Sequence, residues 1–157
     1  MNVILQYIFD YIFPPNKEEI RIRSLSLDWL ILNGQKASNA EFPFIKALFS
    51  YKDLLIKELI WQIKYKKNVH AIKCASYALY NEIIKYNDTT VLIPIPISKK
   101  RKKERGYNQC ELIIDEIIKL DNKNTLRKDY RILIREKDIE KQTYKNRNER
   151  ISNTKHI

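Results

Sequence analysis

The chain has 157 residues, 44% of them hydrophobic, which is enough for one ordinary domain and too much for wholesale disorder. Thirty Lys and Arg against nineteen Asp and Glu give a net charge of +11, which suits a polyanionic partner such as nucleic acid or a phosphorylated metabolite, and equally a soluble, solvated face. Only Cys74 and Cys110 are present and neither belongs to a CxxC pair, so a disulfide framework and a cysteine zinc site have no support and a reduced, cytoplasmic setting fits.

The amino-terminal stretch MNVILQYIFDYIFPP has no cationic leader and no small-residue cleavage site, and Gln6 and Asp10 interrupt its apolar run. It reads as neither signal peptide nor membrane span. Val3, Leu5, Ile8, Phe9, Ile12 and Phe13 instead form one side of a short helix, expected to dock on the domain and to end where Pro14 and Pro15 disfavour its continuation. Residues 16–44, with Asn33, Gly34, Ser38, Asn39 and Pro43 around the apolar patch Leu25 to Leu32, read as a partly ordered connector. From Asp53 the pattern sharpens: Ile56, Leu59, Ile60 and Ile63 recur at i, i+3, i+4 and i+7, the stripe of a helix lying against a core, with Trp61 and Lys64 off the stripe. A second helix, Val69 to Tyr86, places Ile72, Ala75, Leu79 and Ile83 on one face.

Residues 91–113, VLIPIPISKKRKKERGYNQCELI, are the most informative segment. Val91 to Ile97 is a β-branched run for a sheet, although Pro94 and Pro96 cannot donate ladder hydrogen bonds and favour an edge or a strand end. Six of the seven residues from Lys99 to Arg105 are cationic and read as a basic loop. Gly106 permits positive φ, and Asn108 followed by Glu111 reads as an N-cap with a capping box, starting a helix near Gln109. A basic segment after a strand and before a helix N-terminus is where open α/β sheets bind phosphates. Cys110, Ile113, Ile114 and Ile117 then repeat at helical spacing, so Cys110 reads as packing rather than chemistry. Asp121, Asn122 and Asn124 supply a turn, and Tyr130, Ile132 and Ile134 alternate with Arg131, Leu133 and Arg135 as a second strand. Residues 136–157 are polar and read as a mobile loop, a disordered end, or part of an unfinished element. His70 and His156 lie far apart outside any patterned cluster, and no metal site is expected.

These segments together resemble the ComF family, a competence-associated branch of the type I phosphoribosyltransferases. ILQYIFDYIFPP is similar to the family's opening helix, LFSYKDLLIKELIWQIKYKKN to its Tyr-Lys and Lys-Tyr segment, and VLIPIPISKKRKKERGYNQCELI to its most recognisable block. In QTYKNRNERISN, Gln142, Arg150 eight residues later and Asn153 three beyond that keep the family spacing. The resemblance implies an α/β fold, a partial type I phosphoribosyltransferase-like parallel sheet with flanking helices in which the sheet is incomplete. Residues 1–44 would form an amino-terminal helix and connector, without the zinc cysteines that many relatives carry there, and residues 45–157 an incomplete transferase-like domain.

The stretch from Ser98 to Asn108 would correspond to the pyrophosphate-binding loop, with Lys102, Lys103, Arg105, Gly106, Tyr107, Asn108 and Gln109 as the diphosphate-binding residues. Arg105, Gln142 and Arg150 would act in catalysis, the latter two from a mobile loop closing over the reacting centre. The family signature of two adjacent acidic residues followed by Thr-Thr-Gly does not occur in these 157 residues, which implies a carboxy-terminally shortened chain, inactive alone. Mg²⁺ would serve the complete enzyme, and none is expected for this chain by itself. Phosphoribosyl diphosphate would bind only a completed site. Two readings of other classes stay open: a basic protein of DNA uptake that binds single-stranded nucleic acid, and a non-enzymatic subunit whose sheet edge pairs with a complementing polypeptide. No membrane partner is expected.

Overall fold

A computed structural model describes residues 3–37, 45–86 and 89–135. Contacts divide the chain into two units, Met1–Asp88 and Thr89–Ile157. Together they hold both helix and strand, consistent with an α/β chain.

The first unit is helical. α1 (Val3–Ile12) stops before Pro14 and Pro15, as their restricted backbone requires. Its expected docking face is not buried: among the side chains described, Ile8 is 52% exposed, Ile12 60% and Phe13 63%. The helix is tied down by charge instead, Arg23 donating through Nη1 to Asp10 Oδ2 at 2.5 Å and through Nη2 to Asp10 Oδ1 at 3.1 Å. The Asp10 carboxylate, with Glu19 beside it, raises the pKa of the Arg23 guanidinium.

Residues expected to be a connector contain two short helices, α2 (Lys17–Arg23) and α3 (Leu27–Asn33). Each has a side-chain cap: Asn16 accepts from the Glu19 amide at 2.7 Å and Ser26 from the Trp29 amide at 3.4 Å. Between them the Leu25 carbonyl accepts from His70 Nε2 at 2.7 Å and lies 3.9 Å from Cys74 Sγ. α3 ends at Gly34, where an added Cβ would sit 2.7 Å from both the Leu30 carbonyl and the Phe49 ring.

α4 (Leu54–Trp61) is capped by Asp53, whose Oδ1 accepts from Leu55 N at 2.8 Å while Oδ2 accepts from Gln35 N at 3.1 Å. These amides, Gln35 first, hold the Asp53 carboxyl below its usual pKa. The helix buries Leu55, Ile56 and Leu59 and runs on into a π-helical turn, Gln62–Lys66, that buries Gln62 and Ile63. Lys67 ends the turn with φ 50, and Asn68 caps α5 (Val69–Ile83), its Oδ1 accepting from the amides of His70 and Ala71. A 3₁₀ turn, Ile84–Tyr86, completes that helix. α5 buries Ala71, Ile72, Cys74, Ser76 and Ala78. Its buried face is therefore rotated from the one expected, and Ala75, Leu79 and Ile83 are only half-buried. Small residues dominate that face because α5 packs closely against α2, α3 and α4. With Ile22 and Leu30 fully buried, each such side chain contributes roughly 1.5–3 kcal/mol.

The second unit carries the sheet. β1 (Thr90–Leu92) pairs in parallel with β2 (Leu126–Lys128), Thr90 opposite Leu126 and Leu92 opposite Lys128. Between them lie α6 (Lys99–Arg105) and α7 (Gln109–Leu120), the helical crossover that a parallel pair requires. Two expectations are corrected. The first strand is three residues long, because beyond Leu92 the prolines of the PIPI run remove ladder donors. The second strand is Leu126–Lys128 rather than 130–135. The Asp121 carboxylate fixes it there, accepting from Leu126 N at 2.7 Å and from Lys123 N and Thr125 Oγ1 at 3.3 Å. Tyr130 has another partner, its hydroxyl donating to Asp115 Oδ1 on α7 at 2.6 Å. Among the described residues the sheet has two strands, and no helix is long and apolar enough to cross a membrane.

Cys74 provides a test of the packing in the first unit. It is fully buried, and desolvation pushes its thiol up from 9.0 to about 11. At pH 8 iodoacetamide is expected to modify half-buried Cys110 and to spare Cys74 until the protein unfolds; equal labelling rates in the native protein would contradict this packing. The folded state keeps the Cys74 proton after the unfolded state has lost it. The corresponding contribution to stability is present below pH 9 and disappears as pH rises from about 9 towards 11.

Candidate functional site

The segment read as a basic loop is a helix. Ser98, 4% exposed, starts α6 by accepting from Arg101 N at 3.3 Å, and Lys and Arg are good helix formers. The helix is electrostatically costly: Lys99 faces Lys102 and Lys103, and Arg101 faces Arg105, at i+3 and i+4 spacings that destabilise by roughly 0.2–0.5 kcal/mol per like pair. A bound polyanion would relieve that repulsion. Lys102, Lys103 and Arg105 occupy the last turn, where the helix dipole favours cations.

Gly106 closes α6 in the left-handed conformation, φ 77 and ψ −7, with its amide donating to the Lys102 carbonyl at 2.8 Å. The chain then reverses within Tyr107 and Asn108 into α7. Asn108 is the N-cap predicted from sequence and is 1% exposed. Its Oδ1 accepts from Cys110 N at 2.9 Å and its Nδ2 donates to the Ile95 carbonyl at 3.1 Å. One amide joins the segment after β1 to the start of α7. Because the cap takes the Cys110 N–H, that donor serves the fold rather than a ligand.

Two contacts set the charge at this corner. Arg105 Nη1 donates to Gln109 Oε1 at 3.1 Å, which orients the guanidinium across the turn. Lys102 Nζ lies 3.6 Å from Glu111 Oε1, so the carboxylate expected in a capping box pairs with the basic helix. Glu111 also suits the helix N-terminus electrostatically, and an incoming anion meets both its charge and the cations beside it.

Farther along α7, Asp115 holds the second strand. Lys128 Nζ and the Tyr130 hydroxyl both donate to its Oδ1, and the Lys128 ammonium lies 5.3 Å from the Tyr130 ring centroid. Burial pulls the Asp115 carboxyl upwards, but the hydrogen bonds from Lys128 and Tyr130 outweigh it and the net shift is down. The Tyr130 hydroxyl is shifted up, by burial first and by Asp115 second.

The residues selected from sequence thus fall at one corner. Lys102, Lys103 and Arg105 lie on α6, Gly106 and Tyr107 in the reversal, Asn108 at the cap, and Gln109 in the first turn of α7. Gln142, Arg150 and Asn153 lie outside the described residues. Ser98 was not singled out, although a serine directly before a run of helix formers is itself a cap signal. Among the described residues no group of three or more His, Cys, Asp or Glu side chains could hold a metal ion.

A β-strand leading to a basic helix, a left-handed glycine and a capped helix is an α/β element suited to anions at the carboxyl end of a strand. The chain is similar to the competence protein ComFC of Bacillus subtilis (strain 168), with 32% identity over 74 residues. The aligned part covers 45% of this chain and spans 30% of that protein's length. This similarity supports a relationship to the ComF family. No family model matches the chain, and no solved structure matches it.

The reversal is testable by substitution. Gly106→Ala meets no steric contact within 4 Å, so its cost comes from φ alone and is expected to be about 1–2 kcal/mol in urea unfolding. Asn108→Ala removes a cap and leaves the Ile95 carbonyl without its donor, for an expected loss of roughly 2–3 kcal/mol. A loss for Gly106→Ala that exceeds the one for Asn108→Ala would contradict this ranking.

Proposed function

We propose that this chain is a ComF-family, phosphoribosyltransferase-like protein with a role in competence, and that the α6–Gly106–α7 corner is its diphosphate-holding element. The observation that carries the reading is the order β1, six cations on α6, left-handed Gly106 and Asn108-capped α7, in a chain similar to ComFC. In phosphoribosyl transfer a nucleophile displaces diphosphate from the anomeric carbon of ribose. The leaving group gathers negative charge as the C–O bond breaks. Arg105, oriented by Gln109, supplies a fork of N–H donors to diphosphate oxygens, and Lys102 and Lys103 supply mobile ammonium charge. The Gly106 and Tyr107 backbone lets the anion approach closely, while Asn108 positions the corner without touching the ligand. Gln142 and Arg150 would close over the reacting centre.

Mg²⁺ would neutralise the diphosphate during its departure. The side chains of this corner are cationic or neutral donors apart from Glu104 and Glu111, a set that fits an anion, so the metal would arrive on diphosphate oxygens rather than in a protein cage. The grip on ribose hydroxyls and the 5′-phosphate would belong to the family's signature of an acidic pair followed by Thr-Thr-Gly, which does not occur in these 157 residues. The chain by itself is therefore expected to hold diphosphate without catalysing transfer.

Calorimetric titration at low salt tests this. Pyrophosphate with Mg²⁺ should bind weakly, Arg105→Ala should weaken it roughly tenfold or more, and phosphoribosyl diphosphate should bind no tighter than pyrophosphate. Submillimolar binding of phosphoribosyl diphosphate that far exceeds pyrophosphate binding would show a complete site. Pyrophosphate binding unchanged by Arg105→Ala would remove the corner from the account.

A further inference from the structure

The first unit contains a cavity of about 260 Å³, independent of the diphosphate reading. One wall comes from the pairing of residues 35–37 with 48–50. Lys36 lies opposite Phe49 in an antiparallel bridge, Ala37 N donates to the Leu48 carbonyl at 3.3 Å, and Ser50 N donates to the Gln35 carbonyl at 2.7 Å. The Asp53 carboxylate, through the Gln35 amide, pins that wall to the start of α4. Another wall is α5, which presents only the methyl group of Ala78 there. The absence of a side chain at Gly34 lets the Phe49 ring settle beside α3. Two small residues beside a fixed wall thus leave the space open.

The lining divides by chemistry. Ile31, Leu48 and Phe49, each half-buried, supply apolar surface. Lys36, Lys46 and Lys85 bring three ammonium charges against the single carboxylate of Glu82. That carboxylate is shared: Lys46 donates to its Oε1, and Lys85 donates to its Oε2 at 2.7 Å. The hydrogen bond from Lys46, ahead of the one from Lys85, holds the Glu82 carboxyl below its usual pKa and keeps it charged at neutral pH. The side chains of Lys46 and Lys85 are 53% and 65% exposed and that of Glu82 17%, so the ammonium groups stand at the rim and the carboxylate deeper. An ammonium has three donors, and Glu82 occupies one on each lysine.

We infer that this cavity binds a small organic carboxylate with an apolar body, its carboxylate at Lys46 and Lys85 and its body against Ile31, Leu48 and Phe49. The volume lies below the roughly 300–1,000 Å³ of drug-sized sites, which suits one ring and its substituent and is too small for a nucleotide. A phosphate monoester is the poorer match. Among the described residues the lining has no arginine and no glycine, and the Ala37 amide is already bonded to Leu48, so the guanidinium forks and backbone nests that hold a dianion are missing. Glu82 also opposes a second negative charge beside the first. A carboxylate brings one charge, which the two rim lysines meet by loosening their hold on Glu82.

The test follows the backbone amides of the ¹⁵N-labelled full chain as phenylacetate is added, with phenylacetamide and phenyl phosphate as comparison probes. Phenylacetate should give saturable shifts at Lys36, Ala37, Leu48, Phe49 and Glu82. Phenylacetamide should bind roughly tenfold more weakly, and phenyl phosphate no more tightly than phenylacetate. Glu82→Gln removes the internal competitor for both lysines and should tighten phenylacetate binding about threefold, whereas Glu116→Gln, whose carboxylate pairs with Lys119 on α7, should leave it unchanged. Ala78→Leu should fill the cavity and abolish binding; if circular dichroism shows that variant unfolded, Glu82→Gln decides. No saturable shift at millimolar phenylacetate, equal binding of acid and amide, or tighter binding of phenyl phosphate would overturn the inference. So would a Glu82→Gln variant that binds phenylacetate no better than the parent chain.

Discussion

The amide of Asn108 is the constraint on which the second unit depends. Its two ends hold two pieces of chain that would otherwise separate, the segment that leaves β1 and the first turn of α7. The side chain is almost inaccessible to water, so both of its polar groups must be satisfied internally, and they are satisfied by the Ile95 carbonyl beyond β1 and the Cys110 amide at the start of α7. Everything between Ile95 and Asn108 is then a closed excursion. α6 is that excursion, entered through the Ser98 cap and left through the left-handed Gly106. A run of like charges that would not form a stable helix alone is held helical by its two ends.

This arrangement explains why the cations gather at one corner instead of spreading into solvent. The last turn of α6 and the first turn of α7 meet at a reversal of only three residues, which brings Lys102 to Glu111 and Arg105 to Gln109. Glu111 offsets part of the positive charge gathered there. At the other end of α7, Asp121 and Asp115 set the return strand, one by gathering the amides of the turn and the other by holding Lys128 and Tyr130. Strand position in this unit is determined by carboxylates more than by strand propensity.

Legibility in the sequence followed the range of the interactions. The end of α1 was readable because two adjacent prolines act locally, and Asn108 because a cap acts within one turn. α2 and α3 announce themselves in the same way, through Asn16 three residues before Glu19 and Ser26 before LDWL, but loop-like composition obscured both signals. The basic helix reads as a loop when charge is weighed above the helix propensity of lysine and arginine. Tyr130 to Arg135 alternates like a strand, yet Asp115 and Asp121, which decide the outcome, lie up to fifteen residues away and leave no periodic mark. The buried face of α5 is hidden from its apolar periodicity because Ala71, Cys74, Ser76 and Ala78, rather than its largest apolar residues, fill most of the packed side.

The central claim is that the corner from Arg105 to Glu111 receives a diphosphate. It is tested most directly by following the backbone amides of the ¹⁵N-labelled chain by nuclear magnetic resonance as pyrophosphate is added at low ionic strength. Saturable shifts concentrated at Arg105, Gly106, Tyr107, Gln109 and Glu111, with the remainder of the second unit little changed, are the predicted result. Shifts spread evenly over exposed lysines, or an unchanged corner at millimolar pyrophosphate, would contradict it.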